Sequence, residues 1–274
     1  MSSRQISKRG CGPHIKPRGN SMSLANGVNT HTMRSLGPAG AVGFAAIKQE
    51  NEQLRSMTDE LGHRIKNLVA VMQSISRQTM HHTTTKDDFE VRFAGRLGAL
   101  GRSIDCLMAN DWHEARIDEL VRLELTTFGA LDGAQFSAEG PLIGLQPNAA
   151  RNIGLALHEL ATNACKHGAL SVPEGKVAVH WELVNCGERQ RFRMSWRESG
   201  GPMVIKPKHW GFGRQVIQRL TAQALKAKVT HEFLPGGVRW KLDSSATFVI
   251  SARSAAATYI DGSGTDRRTR DVSH

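Results

Sequence analysis

The sequence predicts an α+β protein. An N-terminal antiparallel helical hairpin, paired with a second copy as a four-helix bundle, is followed by an α/β sandwich. Three observations predict it. Apolar residues recur at helical spacings from about residue 45 to residue 107. Short alternating segments broken by Gly and Pro turns fill much of the chain from residue 135 onward. Helical patterns lie among those segments without the strict strand-helix-strand order of a doubly wound parallel sheet. With 274 residues, 39% of them hydrophobic, the chain is long enough to bury the cores of one or two domains.

In the hairpin, Ile47, Leu54 and Leu61 recur every seven residues with Met57 between them, a coiled-coil-like stripe. It continues through Leu68, Val71, Met72 and Ile75, and no proline interrupts a helix over residues 45–80. His81, His82 and the threonines 83–85 make a polar break. Phe89, Phe93, Leu97, Leu100, Ile104 and Leu107 then mark the inner face of a second helix. Two amphipathic helices cannot cover both stripes alone, which is why dimerisation is expected. Farther on, residues 117–128 read as a helix, 135–138 as a short strand and 147–168 as a long helix with Pro147 in its first turn. Residues 177–184 and 191–196 alternate like strands across a turn at Asn185, Cys186 and Gly187. A helix over 211–226 precedes a hairpin of 229–234 and 238–242 across Pro235, Gly236 and Gly237. No internal repeat is present. The expected divisions are a disordered basic arm (1–44), the hairpin (45–112), the sandwich (113–250) and a polar disordered tail (251–274).

Composition excludes several classes. Net charge is +11, which raises nucleic acid as a partner, but the distribution argues against it. Arg4, Lys8, Arg9, Lys16, Arg18 and Arg34 lie in a Gly-, Ser- and Pro-rich stretch with no acidic residue before Glu50, as in a solvated arm. Cys11, Cys106, Cys165 and Cys186 form no Cys-x-x-Cys pair, so neither a zinc site nor a disulfide framework is expected, and reduced thiols fit a cytoplasmic protein. No apolar run approaches the roughly 18 residues that span a bilayer. The N-terminus lacks a signal peptide's apolar core.

Four segments carry chemistry. His63 sits on the first helix, where Leu61, Ile65 and Leu68 mark the inner side and leave the imidazole near the stripe's edge. A neutral ring nitrogen on a rigid helix is a nucleophile. Glu60, one turn earlier, is placed to orient the ring or take its proton, and Lys66 and Asn67 follow one turn later. In residues 157–168, Glu159, Asn163, Lys166 and His167 fall at i, i+4, i+7 and i+8 on one helix face. A carboxylate, an amide and two potential cations within two turns suit Mg2+ with phosphate. At the end of a strand, Trp196-Arg197-Glu198-Ser199-Gly200-Gly201-Pro202 offers a carboxylate that accepts from an exocyclic amine such as that of adenine, with glycines that let a flat ligand approach. Trp210-Gly211-Phe212-Gly213-Arg214 opens a helix as a glycine-rich anion site.

In this order the segments resemble the HWE histidine kinases. That family is named for a histidine in its asparagine-bearing helix and a Trp-x-Glu in the following glycine motif, present here as His158 and as Trp196 with Glu198. Residues 60–67, 158–171 and 196–202 carry the match, which extends over about residues 48–243. The resemblance implies a dimerisation and histidine-phosphotransfer hairpin followed by an ATP-binding domain of the Bergerat type. It implies autophosphorylation of His63 from Mg-ATP and transfer to an aspartate of a response-regulator receiver domain. Carried over by position, Asn163 is the Mg2+ ligand and Glu159 the water-positioning or general-base group. Glu198 reads adenine, with Gly200 in its loop; Lys166 and His167 contact phosphates; Gly211 and Gly213 hinge a short lid. Two departures stand out. Arg64 follows His63 where many histidine kinases have an acidic residue, so Glu60 is expected to supply that role. The basic arm is also too short and polar for a sensor domain, and an upstream sensor protein stands among the partners to be considered, with action in trans left open. The rival expectation is a nucleotide-binding signalling adaptor that transfers no phosphate.

Overall fold

A computed structural model of the chain describes residues 38–129, 135–187, 189–204 and 212–255. Most of the basic arm and of the C-terminal tail, and the glycine at 211, lie outside them. The chain divides after Lys66 into two bodies.

The described part of the first body is the leading portion of helix α1 (Pro38–His81), which starts at Pro38 rather than near residue 45. Proline suits a helix start, where its missing N–H has no partner to lose. Ile47, Leu54, Met57, Leu61 and Ile65 are all more than half exposed. The predicted stripe therefore lies on the helix surface, uncovered among the described residues.

The second body begins with residues 67–81 of α1, where Ile75 and Thr79 are buried. Helix α2 (Lys86–Met108) follows a turn at 82–85. Its N-cap is Thr85, whose hydroxyl accepts from the Asp88 N–H at 3.2 Å, and Asp87 and Asp88 complement the helix dipole in the first turn. The buried face of α2 is Arg96, Ala99, Leu100, Ser103, Cys106 and Leu107. The face is thus rotated from the predicted one: Leu97 and Ile104 sit outside it, and Arg96 and Ser103 take the inner positions. Cys106 and Leu107 join the core of the sandwich.

A short strand β1 (Ala115–Arg116) leads into helix α3 (Ile117–Thr126). Strands β2 (Phe136–Glu139) and β3 (Gly144–Leu145) precede the long helix α4 (Pro147–His167), with proline in its first turn. Strands β4 (Lys176–Cys186) and β5 (Arg189–Ser199) pair antiparallel along their whole length. After residues outside the description, α5 (Phe212–Arg214) runs into a π-helical stretch, Gln215–Leu220, and α6 (Thr221–Ala224). Strands β6 (Lys228–Leu234) and β7 (Gly237–Ser245) form the last hairpin. The main sheet has the order β2-β4-β5-β7-β6, with β2 parallel to β4 and the other neighbours antiparallel; β1 and β3 pair separately.

The sheet has one dry face. Val177, Val179 and Trp181 of β4, Phe192, Met194 and Trp196 of β5, and Trp240 and Leu242 of β7 point inward at period two. They share a core with Leu120, Val121 and Leu125 of α3 and with Ile153, Leu157 and Leu160 of α4. Each such side chain stabilises the fold by about 1.5–3 kcal/mol. The other face is polar: Arg191 and Arg193 of β5 both pair with Asp243 of β7. Residues 251–255 were expected in the polar tail, but Ser251 is buried, and its hydroxyl and that of Ser254 donate to Glu114.

Candidate nucleotide-binding and phosphoacceptor residues

The alternation of β5 fixes the first site residue. Glu198 lies two residues beyond Trp196 and so points to the dry face, where it is 4% exposed. Its Oε1 accepts from the Trp196 indole N–H at 3.1 Å, and its Oε2 accepts from the backbone N–H of Ala169 at 3.0 Å. Burial pushes its carboxyl above the usual range, and these two donors oppose that shift. The Trp-x-Glu spacing therefore has a direct physical meaning: the tryptophan, fully buried, holds the carboxylate two residues away on the same face. Gly168 makes room for it, because a Cβ there would lie 2.2 Å from Glu198 Oε2. Gly200 has φ +68°, and a Cβ there would lie 2.6 Å from the Glu174 carbonyl oxygen; it shapes the turn after β5.

Glu198 opens into a cavity of about 890 Å3, within the range of about 300–1,000 Å3 usual for small-molecule sites. Helix α4 contributes His158, Glu159, Asn163, Lys166 and His167 to its lining, and Gly213 of α5 faces them. Seven of the predicted residues thus meet around one space. Asn163, Lys166 and His167 are exposed, so their polar ends reach it. A Cβ on Gly213 would lie 2.7 Å from Glu159 Oε2 and 3.8 Å from Asn163 Nδ2, so the start of α5 closes over the Glu159–Asn163 turn. The donor set fits a phosphate-bound Mg2+, which needs only one or two protein oxygens. Among the described residues no cluster of three acidic, histidine or cysteine side chains could hold a metal without a ligand's help.

Glu159 departs from a free catalytic carboxylate. It is 5% exposed and accepts from Arg96 of α2, Nε to Oε1 at 2.7 Å and Nη2 to Oε2 at 3.3 Å. Sequence reading missed Arg96. The available signal was its place in the three-and-four stripe of α2, which it shares with Leu100 and Leu107.

His158 packs on the same helix pair. Its ring lies 5.4 Å from the Phe128 ring, and a Cβ on Gly95 of α2 would come within 3.0 Å of its Nε2. Burial first, then Arg102, Arg96 and Lys166, lowers its pKa to about 4. It is neutral at neutral pH, so its 4.0 Å approach to Glu124 is no ion pair. Glu124 is fully buried, accepts from Arg102 at 2.6 Å and is pushed up to about 7 by burial. His231 of β6 also lines the cavity; its Nδ1 is buried without a hydrogen-bond partner, and burial and Arg214 lower its pKa to about 4. Neither His231 nor the Arg102–Glu124 pair was foreseen.

In the first body, His63 is exposed on α1. Glu60 is ion-paired with Arg64 across one helical turn, so the basic residue that replaces the usual acidic neighbour holds the carboxylate expected to stand in for it. Among the described residues no helix is long and apolar enough to cross a membrane.

Residues 60–142 match the family model for HWE histidine kinases. A blue-light-activated histidine kinase of Brucella anthropi is 34% identical over 182 residues, covering 66% of this chain and 37% of that protein. Its counterpart in Brucella ovis is 34% identical over 179 residues, covering 65% of this chain and 37% of that protein. The chain thus spans just over a third of these relatives. Among solved structures, the Erythrobacter litoralis EL346 blue-light activated histidine kinase aligns with TM-score 0.45 at 19% identity, over 68% of this chain and 57% of that one. Over residues 60–142 this chain is thus similar to the HWE histidine kinases, and over about two thirds of its length it is similar to blue-light-activated histidine kinases.

Proposed function

We propose that the chain is an ATP-dependent protein histidine kinase that phosphorylates its own His63 and passes the phosphoryl group to an aspartate of a response-regulator receiver domain. The observation that carries this reading is the buried Glu198 carboxylate, held by Trp196 and Ala169 at the wall of a cavity shared with Glu159, Asn163 and Lys166.

Glu198 accepts from the adenine amine, and Lys166 and His167 meet the phosphates. The Asn163 amide oxygen would hold Mg2+, which would supply positive charge against the phosphoryl oxygens. Glu159 orients the water around that charge. The unprotonated ring nitrogen of His63 attacks the γ-phosphorus, and the N–P bond forms as the bridging P–O bond breaks. The electron pair leaves with ADP. The proton on the other ring nitrogen passes to Glu60. The receiver aspartate then takes the phosphoryl group as the N–P bond breaks, and the imidazole regains a proton. Positioning and charge supply most of the acceleration in such transfers. The uncovered stripe from Ile47 to Ile65 is the surface for a second copy. A partner sensor that moves this stripe would supply the stimulus. ATP as substrate and a receiver as partner put the reaction in the cytoplasm.

The test is incubation with radiolabelled ATP and Mg2+. Acid-labile, alkali-stable label is expected on the wild type, none on His63→Ala or Asn163→Ala, and less on Glu60→Ala. Nucleotide binding with no label on His63 would identify an adaptor instead.

A further inference from the structure

Arg96 is the residue that the proposed reaction leaves without a role. It is 3% exposed, and its guanidinium is held on three sides by partners from two other helices. Nε and Nη2 donate to the two oxygens of Glu159 on α4. Nη1 donates to Thr79 Oγ1 on α1 at 2.9 Å. That hydroxyl is itself aimed, because it donates to the Ile75 carbonyl at 2.6 Å and so turns a lone pair to the guanidinium. The backbone of α2 is also pinned here, since Gly95 lies against the His158 ring. Rotation of the guanidinium plane would break at least one of these bonds.

A buried ion pair of this kind adds little net stability compared with an apolar pair of the same size. An apolar pair would be the simpler filling beside the buried Ala99 and Leu100 of α2. This pair instead sits in the wall of the nucleotide cavity, which both partners line. One of them is the carboxylate one helical turn from Asn163. A carboxylate has about four acceptor sites. The fork occupies two and leaves the others in a fixed plane beneath Gly213. Lysine, a point charge on a flexible stem, would hold the charge without fixing the plane.

We propose that Arg96 is a positioning residue for phosphoryl transfer: from the hairpin helix α2, its guanidinium fixes the plane of the Glu159 carboxylate beside Asn163. The inference rests on the kinase reading above. It ties the placement of α2 and of residues 67–81 of α1 to the geometry of the nucleotide site, because Arg96 and Thr79 belong to those segments and Glu159 to α4.

The experiment measures the rate of His63 labelling at saturating Mg-ATP together with the affinity for ATP, read by displacement of a fluorescent nucleotide. Arg96→Lys is expected to lower the rate on the order of 30-fold, the fold equivalent of lost charge-assisted hydrogen bonds, with ATP affinity within about threefold of wild type. Thr79→Val, which removes the hydroxyl that aims the guanidinium, should lower the rate several-fold with ATP affinity within about threefold of wild type, although the melting temperature falls because the buried Nη1 loses this acceptor. Arg96→Ala should be slow and should recover when millimolar ethylguanidinium is added, because the gap it leaves opens on the cavity; the additive should not change wild type or Arg96→Lys. A side chain needed only for packing would not show that rescue. Labelling of Arg96→Lys at the wild-type rate, or faster labelling than wild type, overturns the proposal. Parallel falls in rate, ATP affinity and melting temperature without rescue also overturn it. An unlabelled His63 in the wild type would instead overturn the kinase reading itself.

Discussion

Trp196→Phe separates the packing role of the indole from its hold on Glu198. The substitution keeps an aromatic ring but removes the N–H that donates to Oε1 at 3.1 Å. Two costs follow. Losing a donor to a buried acceptor costs about 1–3 kcal/mol. Shrinking a fully buried side chain adds on the order of 1–2 kcal/mol of lost contacts and cavity. Trp181→Phe is the control, because Trp181 is 2% exposed and its indole donates to the Pro141 carbonyl at 2.8 Å, away from Glu198. Both variants should lose roughly 3 kcal/mol of stability by denaturant unfolding. Only Trp196→Phe should bind ATP more weakly, by about tenfold, the equivalent of roughly 1.4 kcal/mol. The indole is also one of the two donors that oppose the upward push of burial on Glu198. Without it the carboxyl protonates more readily, so the affinity gap should widen as pH falls over the range in which the protein stays folded. Equal ATP affinity for the two variants across that range would refute the claim that Trp196 acts through Glu198.

Two other measurements bear on the structure. The lowering of His158 and His231 from 6.5 to about 4 means that the folded protein binds fewer protons than the unfolded chain between those values, so this stability is present above pH 6.5 and lost as pH falls toward 4. Glu124, raised from 4.5 to about 7, acts in the opposite sense, its stability being present below 4.5 and lost as pH rises through 7. Each histidine thus contributes a slope of about 1.4 kcal/mol per pH unit between roughly 4.5 and 6.5, which the raised carboxyls of Glu124 and Glu198 oppose. His158→Gln should flatten it in pH-dependent unfolding, and an unchanged slope would show that His158 is not the titrating group. For the exposed stripe, light scattering should give twice the chain mass for wild type and one chain mass for the double variant Leu54→Glu, Leu61→Glu; a dimer in both would move the self-association surface elsewhere.

Where one physical rule decides a position, the sequence showed it. Period-two alternation along β5 places Phe192, Met194, Trp196 and Glu198 on one face, and the i, i+4, i+7 spacing gathers Glu159, Asn163 and Lys166 around the cavity. The heptads from Ile47 onward gave a helix, although its start at Pro38 was hidden by a glycine-rich flank. The residues that were missed are those for which polarity misleads. Arg96, Ser103 and Thr79 are polar by type and buried in fact, because each finds a partner far along the chain that no local pattern reveals. Reading only apolar residues as inward rotated the face of α2 by about one position. The two-residue pair β1–β3 and the parallel partnership of β2 with β4 depend on contacts far apart in the chain, where periodicity is silent. Ser251 was assigned to the tail for the same reason as Arg96: its acceptor, Glu114, is 137 residues away.

The approach of α2 to α4 is limited by an atom the chain does not have. Glycine inside a helix costs about 1 kcal/mol relative to alanine, yet at position 95 it leaves room for the His158 imidazole, whose Nε2 would lie 3.0 Å from an added Cβ. A methyl group at this position would press on the ring and move it by a few tenths of an ångström. A breeder or engineer who wished to loosen the grip of one helix on the other could do so at position 95 alone, leaving every charged side chain in place.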